Sequence, residues 1–296
     1  MSNTAYSFAR TELKYLLSRT QYEAFCAGAA PYFAADAYGK TTICNLYYDT
    51  EDFELIRRSV EKPPYKEKLR LRSYGVPQEN DTVFLEIKKK YNGTVYKRRI
   101  SLALQNADAV LRGEAPSGGQ IGREIQWFLH MHALAPRVFL AYERTAFFGK
   151  QDPSLRLTFD EALRYRTDCL SLRQGDRGMP VLPGSDAVLL ELKLPQSCPL
   201  WLSKLLCDCC IFPASFSKYG TVYQRYLLPQ LSRAAVLPTA VPLQNSNLRI
   251  YREEIQNVCI HPIRRADPAR ISHLHADLGS ARHRERLCLR FSQPVQ

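Results

Sequence analysis

The chain has 296 residues, of which 45% are hydrophobic and 24% charged, a composition typical of globular proteins and not of disordered ones. Lysine and arginine outnumber aspartate and glutamate by 41 to 29, and the resulting net charge of +12 favours polyanionic partners. The sequence has no apolar run of about 18 residues, so no transmembrane helix is expected. Residues 1–15 lack the apolar core of a signal peptide, so we expect a cytoplasmic protein without membrane insertion.

Hydrophobic patterns predict short strands that alternate with helices. In chain order, the predicted strands cover residues 7–16, 43–48, 65–73, 82–89, 95–101, 138–148, 155–165 and 187–194. The predicted helices cover residues 21–29, 51–60, 106–113, 121–134, 199–211 and 218–228. Asn92 and Gly93 predict a tight turn between the fourth and fifth strands.

Strands joined by hairpins and interrupted by helices predict an α+β fold around an antiparallel sheet. Closure of such a sheet removes its two unpaired edges. We therefore expect a closed, eight-stranded antiparallel β-barrel that forms a tunnel with flanking helices.

The composition changes near residue 231, which predicts a domain boundary. Residues 231–296 contain ten arginines, four of the six histidines and no lysine. We expect residues 1–230 to form the folded domain and residues 231–296 to be a poorly ordered C-terminal extension, because the extension has few aromatic residues to bury. A folded C-terminal lobe is the alternative.

Five of the predicted strands have one apolar face and one charged face, because successive strand side chains point to opposite sides. In residues 65–73, for example, Arg70 and Arg72 lie opposite Leu69 and Leu71. The charged faces contain Arg10, Glu12, Lys14, Lys66, Lys68, Arg70, Arg72, Phe84, Glu86, Lys88, Lys90, Arg156, Thr158, Asp160, Glu191 and Lys193.

If the sheet closes with these faces inward, many cations share one cavity. Two like charges ~4 Å apart repel by ~4 kcal/mol at an effective dielectric constant of about 20, so the repulsion needs compensation. Carboxylates compensate part of it, and a bound polyanion would compensate the rest. Arginine and lysine bind phosphate, whereas carboxylates beside phosphate are ligands for Mg²⁺ or Mn²⁺. The sequence has no glycine-rich loop ending in Lys-Ser or Lys-Thr, which excludes a P-loop enzyme.

The chain has nine cysteines, an odd number that does not indicate a disulfide framework. Cys207, Cys209 and Cys210 lie close together in a predicted apolar helix. Without a second pair of metal ligands nearby, they are interpreted as small buried side chains and not as a metal site.

Eight segments resemble, in order, the catalytic domain of the vacuolar transporter chaperone (VTC) family. They are RTELKY, NLYYDT, KLRLRSYG, FLEIKKKYNGTVYKRRI, YERTAFF, LRLTFD, LLELKL and SFSKYG. That family is a branch of the triphosphate tunnel metalloenzymes, which are CYTH-like, and the resemblance covers about residues 5–228. It implies a metal-dependent polyphosphate polymerase that transfers the γ-phosphoryl group of ATP to a growing polyphosphate chain.

The same resemblance implies roles for individual residues. Phosphate binding is expected for Lys14, Arg70, Arg72, Lys88, Arg144, Arg156 and Lys218, with Lys193 as a further candidate. Lys68, on the same charged face as Arg70 and Arg72, is also expected to bind phosphate. Catalytic roles are expected for Arg70, Arg72, Lys88, Arg144, Arg156 and Lys218. Glu191 is expected to hold Mn²⁺ or Mg²⁺, with Glu86 and Glu12 as further candidates. Arg10 stands where related tunnel enzymes often have a glutamate, which departs from the hydrolase and cyclase branches and fits the polymerase branch.

Two other functions fit the same residues. A triphosphatase would use the same phosphate contacts with water as the acceptor, and a non-enzymatic protein would only bind polyphosphate or another polyanion. The carboxylate of Glu191 argues against the second, because an anion binder gains nothing from it. A nucleic-acid partner is not expected, because the cations would point into a tunnel too narrow for a duplex. The oligomeric state is not predicted.

Overall fold

The computed structural model describes residues 11–92, 94–115, 119–195 and 197–236. Arg10, the start of the first predicted strand and most of the predicted C-terminal extension lie outside the described residues. None of the described helices is long and apolar enough to cross a membrane.

Within the described residues, nine strands form one antiparallel sheet. They are β1 (Thr11–Leu17), β2 (Phe33–Asp49), β3 (Tyr65–Tyr74), β4 (Thr82–Tyr91), β5 (Thr94–Ala103), β6 (Ala135–Gly149), β7 (Arg156–Arg166), β8 (Met179–Pro180) and β9 (Val188–Leu194). Their order across the sheet is β1-β9-β7-β6-β2-β3-β4-β5, and the two-residue strand β8 pairs with β7. The antiparallel α+β class is therefore confirmed.

Helices flank this sheet. They are α1 (Arg19–Ala29), α2 (Glu54–Val60), α3 (Leu104–Leu111), α4 (Gly119–His132), α5 (Leu200–Asp208), α6 (Lys218–Val222) and α7 (Leu228–Val236). A π-helical turn, Tyr223–Leu227, joins α6 to α7. Local signals explain some of the starts: Ser18 and Gln21 form a capping box at α1, and Asp49 accepts hydrogen bonds from the Leu55 and Ile56 amides of α2.

The alternating pattern of the strands sorts apolar and charged side chains onto opposite faces of the sheet. Leu69, Leu71 and Leu85 are buried on the outer face, in a cluster that also contains Ile125 and Phe128 of α4. A second outer cluster joins apolar residues of β1, β7 and β9 to α1 and α5. The charged residues of the same strands point to the other face, which we call the inner face. These two clusters hold the strands in the register that the charged inner face requires.

A third cluster lies on part of the inner face, around β2 and β6. Tyr47, Leu140 and Tyr142 pack there with Tyr219 and Tyr223. These two tyrosines belong to the helical segment that starts at α6. That segment therefore covers one part of the inner face. The charged part of the inner face lies beside it.

The backbone pairing among the described residues does not confirm that the sheet closes into a barrel. The strand order ends at β1 and β5, and no pairing within the described residues joins these two strands. The loop between α5 and α6 contacts β1 instead, where the Ala214 amide donates to the Lys14 carbonyl at 2.7 Å. The described residues therefore form an antiparallel sheet with flanking helices.

The C-terminal end of the last predicted helix was placed too early. The helix was predicted to end at residue 228, but the chain stays helical to Val236. Pro229 is the second residue of α7, directly after the π-helical turn, and a proline in the first turn needs no N–H partner.

The interpretation of the three clustered cysteines as buried is also wrong for two of them. Cys207 and Cys210 are exposed, and Cys209 is half-buried. Cys207 lies on the exposed side of the last turn of α5, next to the buried Leu206, and Cys210 follows the end of the helix at Asp208. No group of three metal ligands forms there or anywhere else among the described residues.

We predict that the chain can be shortened to residue 230 without loss of the fold. Leu231, the first residue removed, is 38% exposed, so its loss removes little apolar burial. The melting temperature should fall by less than about 3 °C, since ~1 kcal/mol corresponds to about 2–4 °C in a domain of this size. A chain ending at Val222, which lacks the buried Tyr223 and Leu227, should melt far lower. Unfolding of the chain that ends at residue 230 would place the extension within the fold.

Candidate functional site

The charged part of the inner face contains three buried carboxylates, each bound by two or more cations. They are Glu86 of β4, Asp160 of β7 and Glu191 of β9, which are 1%, 0% and 7% exposed. A buried carboxylate is tolerated only when it is paired. These three therefore mark where the cations of the inner face converge.

Glu191 is surrounded by three of the predicted phosphate-binding residues. The ammonium groups of Lys14 and Lys218 lie 3.3 and 3.1 Å from its Oε1, and Arg144 Nη2 lies 3.2 Å from its Oε2. Burial would raise the pKa of Glu191, but these cations hold the pKa well below its ordinary value. Glu191 is therefore ionised at neutral pH.

Asp160 orients Arg144 and Lys218, a role that the sequence analysis did not assign. Arg144 forms a two-bond fork to its carboxylate, at 2.6 and 2.7 Å, and Lys218 Nζ lies 2.5 Å from Oδ2. Burial lowers the pKa of Lys218, but Glu191 and Asp160 outweigh burial and raise it above its ordinary value. The alternation in LRLTFD already placed Asp160 on the charged face, although not among the site residues.

Glu86 forms a second centre on the other side of the inner face. Arg70 Nη2 lies 2.7 Å from its Oε2, Lys97 Nζ lies 2.6 Å from its Oε1, and Arg72 Nε is 3.9 Å away. Burial would raise the pKa of Glu86, but these cations lower it to about 2. Lys97 was not among the predicted residues, although the register of β4 and β5 places it directly opposite Lys88.

Two phenols and an amide position the arginines further. The Tyr47 hydroxyl accepts from Arg70 Nη1 at 3.3 Å, and the Tyr142 hydroxyl accepts from Arg72 Nη2 at 3.4 Å. Asn45 Oδ1 accepts from Arg72 Nε at 2.9 Å. Burial would raise the pKa of Tyr47, but Arg70 and Arg72 outweigh it and lower that pKa. None of these three was predicted, because polar side chains in a mostly apolar strand carry no distinctive pattern.

Next to the Glu86 centre, three lysines lie side by side on adjacent strands. Lys68 of β3 is opposite Lys88 of β4, which is opposite Lys97 of β5. Burial, together with neighbouring cations such as Lys88, lowers the pKa of Lys68 to about 7. Burial lowers that of Lys97 to about 8, against the opposing effect of Glu86. Lys68 Nζ donates to Ser217 Oγ at 3.1 Å. Such crowding destabilises the charged lysines, and an anion would relieve it.

The remaining predicted residues lie nearer the periphery of this centre. The Lys14 ammonium also lies 3.4 Å from Oε1 of Glu12. Burial would raise the pKa of Glu12, but Lys88 and Lys14 outweigh burial and lower it. Charges on β1 and β4 therefore interact across the inner face. Arg156 has a 48% exposed side chain and lies 3.6 Å from Asp36, and Lys193 is opposite Glu12 and Arg156 in the register of β9.

The predicted metal residues fit a divalent cation only in part. The described residues contain no group of three potential metal ligands. Both carboxylate oxygens of Glu86 are already paired, one with Arg70 and the other with Lys97. Glu191 and Glu12 both lie within 3.4 Å of the Lys14 ammonium, so two carboxylates face the same region. Mg²⁺ commonly uses one or two carboxylates and takes its other ligands from phosphates and water. Glu191 and Glu12 therefore have the donor chemistry that such an ion needs.

We predict that Glu86→Gln destabilises the folded chain most at neutral pH. The folded-state pKa of about 2 lies below the ordinary value of 4.5, so the ionised carboxylate contributes on the order of 3 kcal/mol above about pH 5. That contribution is lost as the pH falls from about 4.5 towards 2. Melting temperatures of both proteins, measured from pH 7 to pH 3, should therefore converge. A difference independent of pH would show that packing, and not charge, is lost.

The sequence is similar to two curated proteins, both described as vacuolar transporter chaperone complex subunit 4. The protein of Schizosaccharomyces pombe is 28% identical over 207 residues, which covers 55% of this chain and 29% of that protein. The protein of Trypanosoma brucei brucei is 27% identical over 254 residues, with coverage of 66% and 32%. The chain thus spans about a third of the length of these relatives.

A solved structure from Bacillus halodurans aligns over 73% of this chain and 95% of its own length. Its sequence identity is 15% and its TM-score is 0.46, so the likeness carries no argument about the family. The profile of the VTC domain matches residues 9–227, which is most of the chain. That range contains every carboxylate and cation of the inner face described above. The chain belongs to the VTC domain family.

Proposed function

We propose that this chain is a metal-dependent polyphosphate polymerase, which transfers the γ-phosphoryl group of ATP to a growing polyphosphate chain on the inner face. One observation carries the proposal, namely that at least ten cations and four carboxylates share this face. The cations are Lys14, Lys68, Arg70, Arg72, Lys88, Lys97, Arg144, Arg156, Lys193 and Lys218, and the carboxylates are Glu12, Glu86, Asp160 and Glu191. The excess of six positive charges (10 − 4) suits a triphosphate or a longer phosphate chain.

The two best-oriented arginines each keep one free end. Arg144 uses Nε and Nη2 for Asp160 and Glu191, and Arg72 uses Nε and Nη2 for Asn45 and Tyr142. In the described part of the chain, neither Nη1 group has a hydrogen-bond partner. These fixed N–H groups are available to phosphate oxygens, and donors that are already oriented stabilise developing charge without reorganisation.

Phosphoryl transfer needs little covalent chemistry from the protein, but it needs charge neutralisation and in-line alignment. In this proposal Arg70, Arg72, Arg144 and Lys218 hold the reacting triphosphate, and Lys68 and Lys88 hold the neighbouring phosphates. Lys14 lies beside Glu191 and completes the set. The acceptor phosphate is already anionic, so no general base is required.

The peripheral cations Arg156 and Lys193 would contact phosphates further along the chain, because both lie towards one end of β7 and β9. A divalent ion, Mn²⁺ or Mg²⁺, would be held by Glu191 with Glu12, where it supplies further neutralisation of phosphate oxygens. Glu86 is assigned to orienting Arg70 and Lys97 instead. We also propose that the inner face closes around the bound chain as an eight-stranded tunnel, a proposal supported by the loop between α5 and α6, in which Ala214 contacts Lys14 of β1 and Ser217 contacts Lys68 of β3.

The full chain, incubated with ATP and Mn²⁺ or Mg²⁺, should produce long-chain polyphosphate. Gel analysis of the product, together with an assay of free phosphate, decides between the three functions. Release of free phosphate alone would identify a triphosphatase, in which water is the acceptor. Binding of polyphosphate without turnover, in any divalent metal, would identify a non-enzymatic polyanion-binding protein.

We predict that Glu191→Gln lowers the rate of phosphoryl transfer by two or more orders of magnitude, which corresponds to about 2.7 kcal/mol or more of transition-state stabilisation. Binding of inorganic triphosphate in a chelator should be unchanged or tighter, because the variant removes a negative charge from the inner face. Glu124→Gln is the matched control, since Glu124 pairs with Lys89 and Arg98 outside this site. Retention of full activity by the Glu191 variant would rule out the metal role.

A further inference from the structure

An aromatic pair follows the row of phosphate-binding arginines at one end of the inner face. Phe84 lies directly opposite Arg72 in the register of β3 and β4, and Tyr74 lies two residues beyond Arg72 on β3. The two rings meet edge to face, with centroids 5.7 Å apart and an interplanar angle of 81°. The guanidinium carbon of Arg99 lies 4.6 Å from the centre of the Phe84 ring.

These three side chains do not serve the buried core. Tyr74 is 53% exposed, and neither Tyr74 nor Phe84 belongs to any of the three apolar clusters of the described residues. Tyr74, Arg72 and Arg70 share the inner face because they alternate along β3. The charged face therefore ends in an exposed aromatic surface beside its most buried arginine.

The spacing fits one class of ligand. Side chains on the same face of a strand are about 7 Å apart, so Tyr74 lies one such step from Arg72 and two steps from Arg70. A nucleoside triphosphate has the same arrangement, with an aromatic base separated by a ribose from a row of phosphates. A base on Tyr74 and Phe84 would place its phosphates over Arg72 and Arg70.

We propose that Tyr74, Phe84 and Arg99 form a subsite for the nucleobase of the nucleoside triphosphate donor. This proposal rests on the proposed function, because it assigns one end of the same site. Stacking between a base and an aromatic ring, with a cation–π contribution from arginine, is worth about 1–3 kcal/mol and tolerates every base. The subsite therefore selects nucleotides over inorganic phosphates and discriminates little between bases.

The subsite also gives the bound nucleotide a direction. With the base at Tyr74, the phosphates extend along β3 from Arg72 through Arg70 towards Lys68. The γ-phosphoryl group then lies nearest the row formed by Lys68, Lys88 and Lys97. The acceptor chain must approach from the end of the inner face where β4 turns into β5.

A comparison of two ligands, ATP and inorganic tripolyphosphate, distinguishes binding at the base subsite from binding at the phosphate site. Affinities for ATP and for inorganic tripolyphosphate are measured by calorimetry on the full chain in a chelator, which prevents turnover. Tyr74→Ala should weaken ATP binding about tenfold, within the 1–3 kcal/mol of a lost stack, and leave tripolyphosphate binding unchanged. Tyr74→Phe, which keeps the ring, should bind ATP like the unchanged chain. Phe84→Leu should also weaken only ATP.

Tyr96→Ala is the matched control, since Tyr96 is 50% exposed on β5 and lies outside the proposed subsite. It should change neither affinity. Equal losses for ATP and tripolyphosphate in the Tyr74 variant, or no loss for either, would overturn the subsite. If the unchanged chain binds neither ligand, the proposed function fails and the subsite fails with it. If it binds tripolyphosphate as tightly as ATP, the subsite alone fails.

Discussion

Repulsion between like charges on the inner face is the constraint on which this structure depends. Two like charges ~4 Å apart repel by ~4 kcal/mol at an effective dielectric constant of about 20, and Lys68, Lys88 and Lys97 lie opposite one another on adjacent strands of this face. Glu86, Asp160 and Glu191 offset much of it, because each carboxylate lies between at least two cations. The offset is incomplete where Lys68 faces Lys88, and a bound polyanion would complete it.

The fold connects this charged face to its apolar clusters through a short chain of contacts. The Tyr219 hydroxyl of α6 donates to Asp49 at 2.9 Å, and the same carboxylate accepts from backbone amides of α2. Tyr219 stacks on Tyr47 with ring centroids 4.7 Å apart, and the Tyr47 hydroxyl binds Arg70. Lys218 precedes Tyr219, so the packing of α6 also fixes where its ammonium meets Asp160 and Glu191. The packing of α6 thus helps to position Arg70 beside Glu86 and Lys218 beside Glu191.

The strands could be predicted where apolar and polar residues alternate along the sequence. They could not be predicted where this alternation is missing. Residues 43–48 were predicted as a strand, whereas β2 runs from Phe33 to Asp49. Its first half, AADAYGKT, is largely exposed and lacks an alternating pattern, and it forms a strand because it pairs with β6. The helical continuation through Pro229 was missed for a similar reason, since the preceding π-helical turn is not visible in the sequence. Closure into a barrel stays a prediction.

The sequence by itself determined which side chains share the inner face, because the two-residue period of a strand is a local property. It placed Arg70, Glu86 and Glu191 there without knowledge of any neighbour. Only the tertiary structure decided which cation meets which carboxylate, because the strand order brings together residues that are far apart in the chain. Lys218 meets Asp160 and Glu191 in this way, and Lys97 joins Glu86 through the register of β5. The pairing of charges therefore depends on distances that the alternating pattern does not contain.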